Sequence, residues 1–165
     1  MDGGSLENVV VFHTLSKRSS VPGLRSGFVC GDSKIISEFA RLRAYSAATA
    51  PGPILAASAA LWSDDKHVED ARLNYRARFD QSERILSRKL SFQRPDAAFY
   101  LWLEVGDAET MTRKLWTDAA LKVMPGSYLS HGIGGENPGR KFIRVALVED
   151  EETTEDALER IAKML

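Results

Sequence analysis

Cysteine is almost absent from this sequence: Cys30 is the only one in 165 residues. A single thiol excludes an internal disulfide framework and any Cys-based metal site, and it fits a reducing compartment. The three histidines, His13, His67 and His131, are scattered without metal-ligand spacing. Charge of one sign is not in excess either, since 22 Lys and Arg face 23 Asp and Glu. No overall field therefore favours nucleic acid or a membrane surface, and no basic patch marks a DNA-binding segment. Long hydrophobic runs are missing. The longest uncharged stretch, residues 44–63, is rich in Ala, Ser, Thr and Pro and is broken by Pro51 and Pro53. It is too polar and too interrupted to span a bilayer. Residues 1–8 contain no apolar core of the signal-peptide kind. What is present, 44% hydrophobic and 27% charged residues, suits a soluble globular protein of about one domain, expected in the cytoplasm.

Residues 9–12, Val-Val-Val-Phe, are the pattern of a strand buried on both faces. The polar stretch 13–20, followed by Pro22 and Gly23, predicts a loop. Residues 27–31 predict a second strand. Ser33 suits a helix N-cap, and Ile35, Ile36, Phe39, Ala40 and Leu42 put an apolar stripe on the helix after it. A further helix is expected over 53–62, with Pro53 tolerated in its first turn. Residues 65–90 contain neither Pro nor Gly, and Val68, Ala71, Tyr75, Phe79, Leu86 and Leu90 recur at helical spacing. They predict one amphipathic helix of about seven turns, long enough to bridge two lobes.

After Pro95 the pattern changes. Strands are expected over 98–105, 122–124 and 142–148, with helices over 109–121 and from 152. Leu158, Ile161, Ala162 and Leu165 share one face of the last helix, and the acidic run 149–152 sits where carboxylates favour a helix N-terminus. The chain thus divides near residue 90. Residues 1–90 read as the end of a larger α/β domain, because two strands make no stable parallel sheet by themselves. Residues 91–165 read as a compact α+β lobe.

The chemistry concentrates in residues 12–28. Lys17 follows the first strand, with hydroxyls at Thr14 and Ser16 before it and Arg25 eight residues after it, inside Gly23-Leu-Arg-Ser-Gly27. A lysine at a strand end can be partly desolvated, which makes its amine nucleophilic toward a carbonyl. Hydroxyls and a guanidinium close by suit a phosphate, and the flanking glycines let backbone approach a ligand. A lone lysine is most often a solvated surface residue; here the whole combination carries the weight. A lysine beside a phosphate cradle is what a pyridoxal-phosphate Schiff base needs. Arg144, on an otherwise apolar strand, needs an anionic partner. The stretch Gly132-Ile-Gly-Gly135 lacks the strand and third glycine of a dinucleotide fingerprint and reads as a flexible loop.

The segment Thr14-Leu-Ser-Lys17, five residues, then Gly23-Leu-Arg-Ser-Gly-Phe28 resembles the Schiff-base signature of class I/II aminotransferases of pyridoxal-phosphate fold type I. The resemblance continues through Ala98-Phe-Tyr-Leu-Trp102, Val123-Met-Pro-Gly-Ser-Tyr-Leu129 and Phe142-Ile-Arg-Val-Ala-Leu-Val148. Pro125-Gly-Ser-Tyr-Leu129, Glu136-Asn-Pro-Gly139 and Ile143-Arg-Val-Ala-Leu-Val148 look most like bacterial N-succinyl-diaminopimelate aminotransferases of lysine biosynthesis. The implied fold class is α/β, the C-terminal portion of such an enzyme. Residues 1–90 would be the end of the cofactor-binding large domain with the long interdomain helix, and 91–165 the small α+β domain. The resemblance implies that Lys17 forms the Schiff base with pyridoxal 5'-phosphate and then moves the proton as general acid and base. Arg25 and Thr14 would hold the cofactor phosphate with help from Ser16. Arg144 would clamp the α-carboxylate of an amino acid or 2-oxo acid substrate.

Members of the family are much longer. Their residues before the lysine strand supply a glycine-rich turn at the phosphate, a ring stacked on the cofactor, an Asn and a Tyr near its phenolic oxygen, and an Asp that keeps the pyridine ring protonated. None of these has a counterpart in this sequence, and residues 1–5 look like a start placed within a family coding sequence. The resemblance therefore implies a fragment that is inactive alone: a truncated reading frame, an isolated domain or one half of a split gene. Its partners would be the missing N-terminal half or a second subunit, in a homo-oligomer. Two other readings stay open. One is a non-catalytic aminotransferase-like module that binds a metabolite or partner, and the other is a different fold type I chemistry such as a β-lyase or decarboxylase.

Overall fold

In the computed structural model, which describes residues 5–46, 49–132 and 134–165, the valine run becomes β1, Val10–Thr14. Residues 1–4 of the expected start segment, Ala47 and Ala48 of the uncharged stretch, and Ile133 of the glycine-rich stretch lie outside the described residues. The chain forms two compact units, Met1–Ala71 and Arg72–Leu165. The division between these units falls inside the long helix.

In the first unit β1 pairs antiparallel with β2, Gly27–Gly31, from Val10 opposite Gly31 to Thr14 opposite Gly27. The expectation of a strand buried on both faces does not hold, because Phe12 is 70% exposed. Burial on both faces requires layers above and below a sheet, and neither covers Phe12 here. The predicted loop 13–20 is also corrected. β1 runs on to Thr14 and is followed by one helical turn, α1, Leu15–Arg18. Leu15 is fully buried and anchors that turn. Helix α2, Ser33–Ser46, is capped by Asp32 rather than Ser33. The Asp32 carboxylate accepts the N–H groups of Asn8 (2.8 Å), Lys34 (2.8 Å) and Ile35 (3.4 Å). The expected apolar stripe of α2 is present in sequence, yet no residue of this helix is buried. Helix α3, Gly52–Ser63, carries Pro53 in its first turn. Helix α4, Lys66–Leu86, is about six turns long and ends four residues before the predicted limit.

The second unit has a continuous core. Strand β3 is Tyr100–Glu104, helix α5 Ala108–Ala119, β4 Met124–Pro125, β5 Phe142–Ala146 and helix α6 Glu151–Met164. The last strand in sequence is the middle of the sheet, whose order is β3-β5-β4 with both pairings antiparallel. Side chains alternate across it. Leu101, Leu103, Ile143 and Val145 face Leu115 of α5, Leu158 and Ile161 of α6, and Phe79 and Leu86 of α4. Both helices start on aspartate caps. Asp107 accepts the Thr110 N–H at 2.7 Å, and Asp150 accepts the Thr153 N–H at 2.8 Å. In each case the bound N–H holds the carboxyl below its ordinary pKa. Among the described residues, no helix is long and apolar enough to cross a membrane.

Two segments, 126–130 and 137–139, meet in this unit. A Cβ on Gly126 would come within 2.6 Å of the Gly139 carbonyl, and one on Gly139 would collide with the Gly126 carbonyl and the Ser130 hydroxyl. The Ser130 hydroxyl donates to the Gly126 carbonyl at 2.8 Å and pairs with Asn137, whose amide donates to the Ser127 carbonyl at 3.0 Å. This knot fixes the entry to β5.

Candidate active site

The four residues predicted around the cofactor lie at one end of the β1–β2 ladder. Thr14 is extended, with φ −137° and ψ 139°, and caps α1 by accepting the Ser16 N–H at 3.1 Å. Its hydroxyl also donates to the Ser26 carbonyl at 3.3 Å, and the Leu15 N–H donates to the same carbonyl at 3.1 Å. The ladder therefore sets segment 14–17 beside segment 25–27. Gly27 is required at this approach, because a Cβ there would stand 2.5 Å from the His13 carbonyl.

Lys17 is the third residue of α1, and its neighbours hold that turn in place. The side chain of Arg18 is 10% exposed; it donates to the Leu61 carbonyl (2.6 Å), pairs with Asp65 (2.5 Å) and lies 5.1 Å from the centre of the Trp62 ring. His67 bridges Asp64 (2.7 Å) and the Ser19 hydroxyl (2.9 Å). That bond from His67 is the main reason the Asp64 carboxyl sits below its ordinary pKa. Lys17 itself is exposed, so the partial desolvation expected at a strand end is absent in this chain.

Arg25 adopts a left-handed conformation, φ 50° and ψ 41°, at the end of the 3-10 turn Pro22–Leu24. Its guanidinium donates to the Pro22 carbonyl at 3.0 Å and is exposed. The neighbouring Ser26 hydroxyl accepts from Ser58 at 2.8 Å, which ties this turn to α3. The Ser16 hydroxyl makes no hydrogen bond among the described residues. An exposed guanidinium, an ammonium and an uncommitted hydroxyl form a donor set that suits the acceptor oxygens of a phosphate monoester. Thr14 fits less well, since its hydroxyl is engaged both as cap acceptor and as donor. A cavity of about 400 Å³ beside the ladder touches Thr14, Phe28 and Arg43 but not Ser16, Lys17 or Arg25. His13, Phe28 and Trp62 form a mutual cluster of rings, with the His13 centroid 5.6 Å from Phe28 and 5.1 Å from Trp62, and those two rings 4.9 Å apart.

Arg144 belongs to the second unit. It occupies the middle strand, opposite Trp102 on β3 and Met124 on β4, and it is half-buried. Because Ile143 and Val145 point into the core, Arg144 stands on the outer face with Tyr100, Trp102 and Phe142. Trp102 and Phe142 are stacked, with centroids 5.6 Å apart and planes 13° apart. A pocket of about 580 Å³ lies here, walled by Tyr100, Trp102, Leu129, Arg144 and residues from the 93–98 segment. That segment is tied back to α4 by Arg94, which pairs with Asp80 and Glu83 and lies 5.8 Å from the Phe79 ring centre. The anionic partner expected for Arg144 is not a protein carboxylate: among the described residues it makes no ion pair.

Two roles were not legible in the sequence. Arg18 reads there as a neighbour of the lysine, and its partner Asp65 is 47 residues away. Tyr100 reads as core or pocket lining, whereas its ring lies 5.7 Å from the Arg144 guanidinium carbon. Among the described residues, no group of three or more His, Cys, Asp or Glu could hold a metal ion.

Residues 3–161 match aminotransferase class I and II, and the chain belongs to that family. The fold is α/β and corresponds to the C-terminal portion of fold type I aminotransferases. An aminotransferase from Neisseria meningitidis is 41% identical with a TM-score of 0.90, over 98% of this chain and 42% of that one. A probable N-succinyldiaminopimelate aminotransferase from Thermus thermophilus is 27% identical with a TM-score of 0.83, over 98% of this chain and 43% of that one. A probable aminotransferase of Mycobacterium tuberculosis is 30% identical over 96% of this chain and 37% of its own length. The chain thus spans about two fifths of the length of the relatives it matches.

Proposed function

We propose that this chain contributes the cofactor lysine and the substrate-carboxylate arginine of a pyridoxal 5'-phosphate-dependent aminotransferase. The observation that carries this reading is the β1–β2 ladder, which sets the Lys17 turn beside the Arg25 turn in a chain of this family. Residues 1–90 then belong to the cofactor-binding large domain and 91–165 to the small domain. The cofactor supplies the aldehyde and the electron sink. Lys17 would be the residue that holds the cofactor through its Nζ, and its amine would be the general acid and base that moves a proton at the substrate α-carbon. Arg25 and Ser16 donate to the phosphate, with Thr14 holding their two segments together. Arg144 offers paired donors to the α-carboxylate and so orients the bond to be broken.

The substrate we favour is an N-succinyl-diaminopimelate-like amino acid, with a 2-oxo acid as amino acceptor, in lysine biosynthesis. The Pro125–Leu129 and Glu136–Gly139 motifs and the likeness to the Thermus protein support it. The protein would work in the cytoplasm as an oligomer, with the acidic partner of the pyridine nitrogen supplied by the missing N-terminal half or a second subunit. A polypeptide of these 165 residues alone is then inactive. Detectable transamination by it would overturn that part.

The exposure of Lys17 favours a second reading, a non-catalytic aminotransferase-like binding module. Titration of the full chain with pyridoxal 5'-phosphate, followed by borohydride reduction and peptide mapping, separates the two. A reduced label on Lys17 that Lys17→Ala lacks is the expected result. Equal, weak labelling of both proteins would leave Lys17 an ordinary surface amine and favour the binding module.

A further inference from the structure

Arg144 stands on β5 without a counter-charge. No ion-paired or hydrogen-bonded side chain engages its guanidinium among the described residues, and its pocket wall contains neither Asp nor Glu. A half-buried guanidinium in that state keeps its charge for a ligand but lacks the carboxylate that ordinarily fixes its orientation. The Tyr100 ring offers another means. Its centre is 5.7 Å from the Arg144 guanidinium carbon, within the range where the negative face of a ring attracts a cation.

The ladder makes this contact dependable. Tyr100 pairs with Ala146 and Trp102 with Arg144, so both rings share the outer face of the sheet with the arginine. Phe99 meets Tyr100 edge-on, with centroids 5.3 Å apart and planes 85° apart. Trp102 is held on the other side by its stack on Phe142 and by close approach to Gly126. Aromatic rings thus wall Arg144 in without neutralising it.

We propose that Tyr100 is a positioning residue: its ring holds the Arg144 guanidinium in place while leaving its donors and charge free for a carboxylate. The inference rests on reading Arg144 as the carboxylate-binding residue. An acid at position 100 would orient the arginine equally well but would quench the charge on which binding depends. A ring orients by its quadrupole and competes for no hydrogen bond.

The test uses the full chain, labelled with ¹⁵N in arginine and titrated with sodium succinate, with dimethyl succinate as the uncharged control. The Arg144 Nε–H resonance is identified by its loss in Arg144→Lys. Succinate should move that resonance and dimethyl succinate should not. Tyr100→Phe should bind succinate within about twofold of the parent, and Tyr100→Leu about tenfold more weakly, as expected for loss of a partly desolvated cation–π contact. Pentafluorophenylalanine at position 100 keeps the shape of the ring and removes its negative face, so it should weaken binding as Leu does. That variant also decides the matter if Tyr100→Leu does not fold. Parent-like binding by the fluorinated variant would overturn the proposal and leave Tyr100 a passive wall. If succinate moves no Arg144 resonance in the parent, the carboxylate role itself fails, and the positioning role falls with it.

Discussion

Between Arg72 and Leu165, the side chains of Leu101, Leu103, Leu115, Ile143, Leu147, Leu158 and Ile161 are at most 2% exposed. In the unit that precedes them, only Leu15 and Val68 are buried among the described hydrophobic residues. There Phe12, Phe28, Leu42, Tyr45 and Leu55 face outward instead. The first unit is held largely by polar ties: Arg18 to the end of α3, Ser26 to Ser58, His67 to Ser19, and Asp32 to three N–H groups. Burial of apolar surface is the main source of stability, and polar ties add little net free energy each. The unit with the proposed cofactor lysine is therefore the weaker of the two, and the unit with Arg144 has its own core.

The largest effect that could break this comparison is expected from Ile143→Ala. Ile143 is fully buried on the middle strand, so its truncation should cost about 3 kcal/mol by urea unfolding. A cost below about 1 kcal/mol would mean that the core of the second unit is looser than its burial implies.

A smaller, pH-dependent effect is expected in the first unit. The Asn8 N–H, and after it the Lys34 N–H, hold the Asp32 carboxyl below its ordinary pKa. Its contribution to stability is complete above the unfolded-chain value of about 4 and is lost as pH falls through the lower native value. In Asp32→Asn, amide hydrogen exchange around β1, β2 and α2 should be faster at neutral pH and should lose that acid dependence. The acid dependence of the second unit, with Asp107 and Asp150 intact, should persist. An unchanged acid response in the first unit would assign it to another carboxylate.

The smallest effect is expected from Phe12→Ser. Phe12 is 70% exposed, so unfolding free energy should change by less than about 0.5 kcal/mol. Light scattering should show less self-association, because an exposed apolar face promotes it. A large loss of stability would show that Phe12 is covered in solution.

Much of the second unit was legible because its patterns are local. Leu101 and Leu103 alternate with Tyr100 and Trp102, and Ile143 and Val145 with Arg144, at the two-residue period of a half-buried strand. Leu158, Ile161 and Ala162 recur at helical spacing and are buried together. In the first unit the same rules misled. Residues 9–12 carry the composition of a doubly covered strand, but composition does not supply the covering layers. The short helix after Thr14 was missed because its sequence is polar, and its cap and buried Leu15 are single residues rather than a period. Ser33 has the residue type of a cap, while Asp32 reaches three N–H groups at once.

The sequence by itself determined the family, the helical and strand periods, and the spacing of Thr14, Ser16, Lys17 and Arg25, since each is a property of neighbouring residues. Tertiary structure alone decided that β1 and β2 pair antiparallel, that Thr14 is spent on capping, and that Lys17 stays exposed. It also decided that β5 enters the middle of its sheet, which puts Arg144 between Trp102 and Met124 and beside Tyr100. Pairing strands so distant in the chain carries a loop-closure cost, offset only when their shared face buries a core, so register follows from the whole unit rather than from any local pattern.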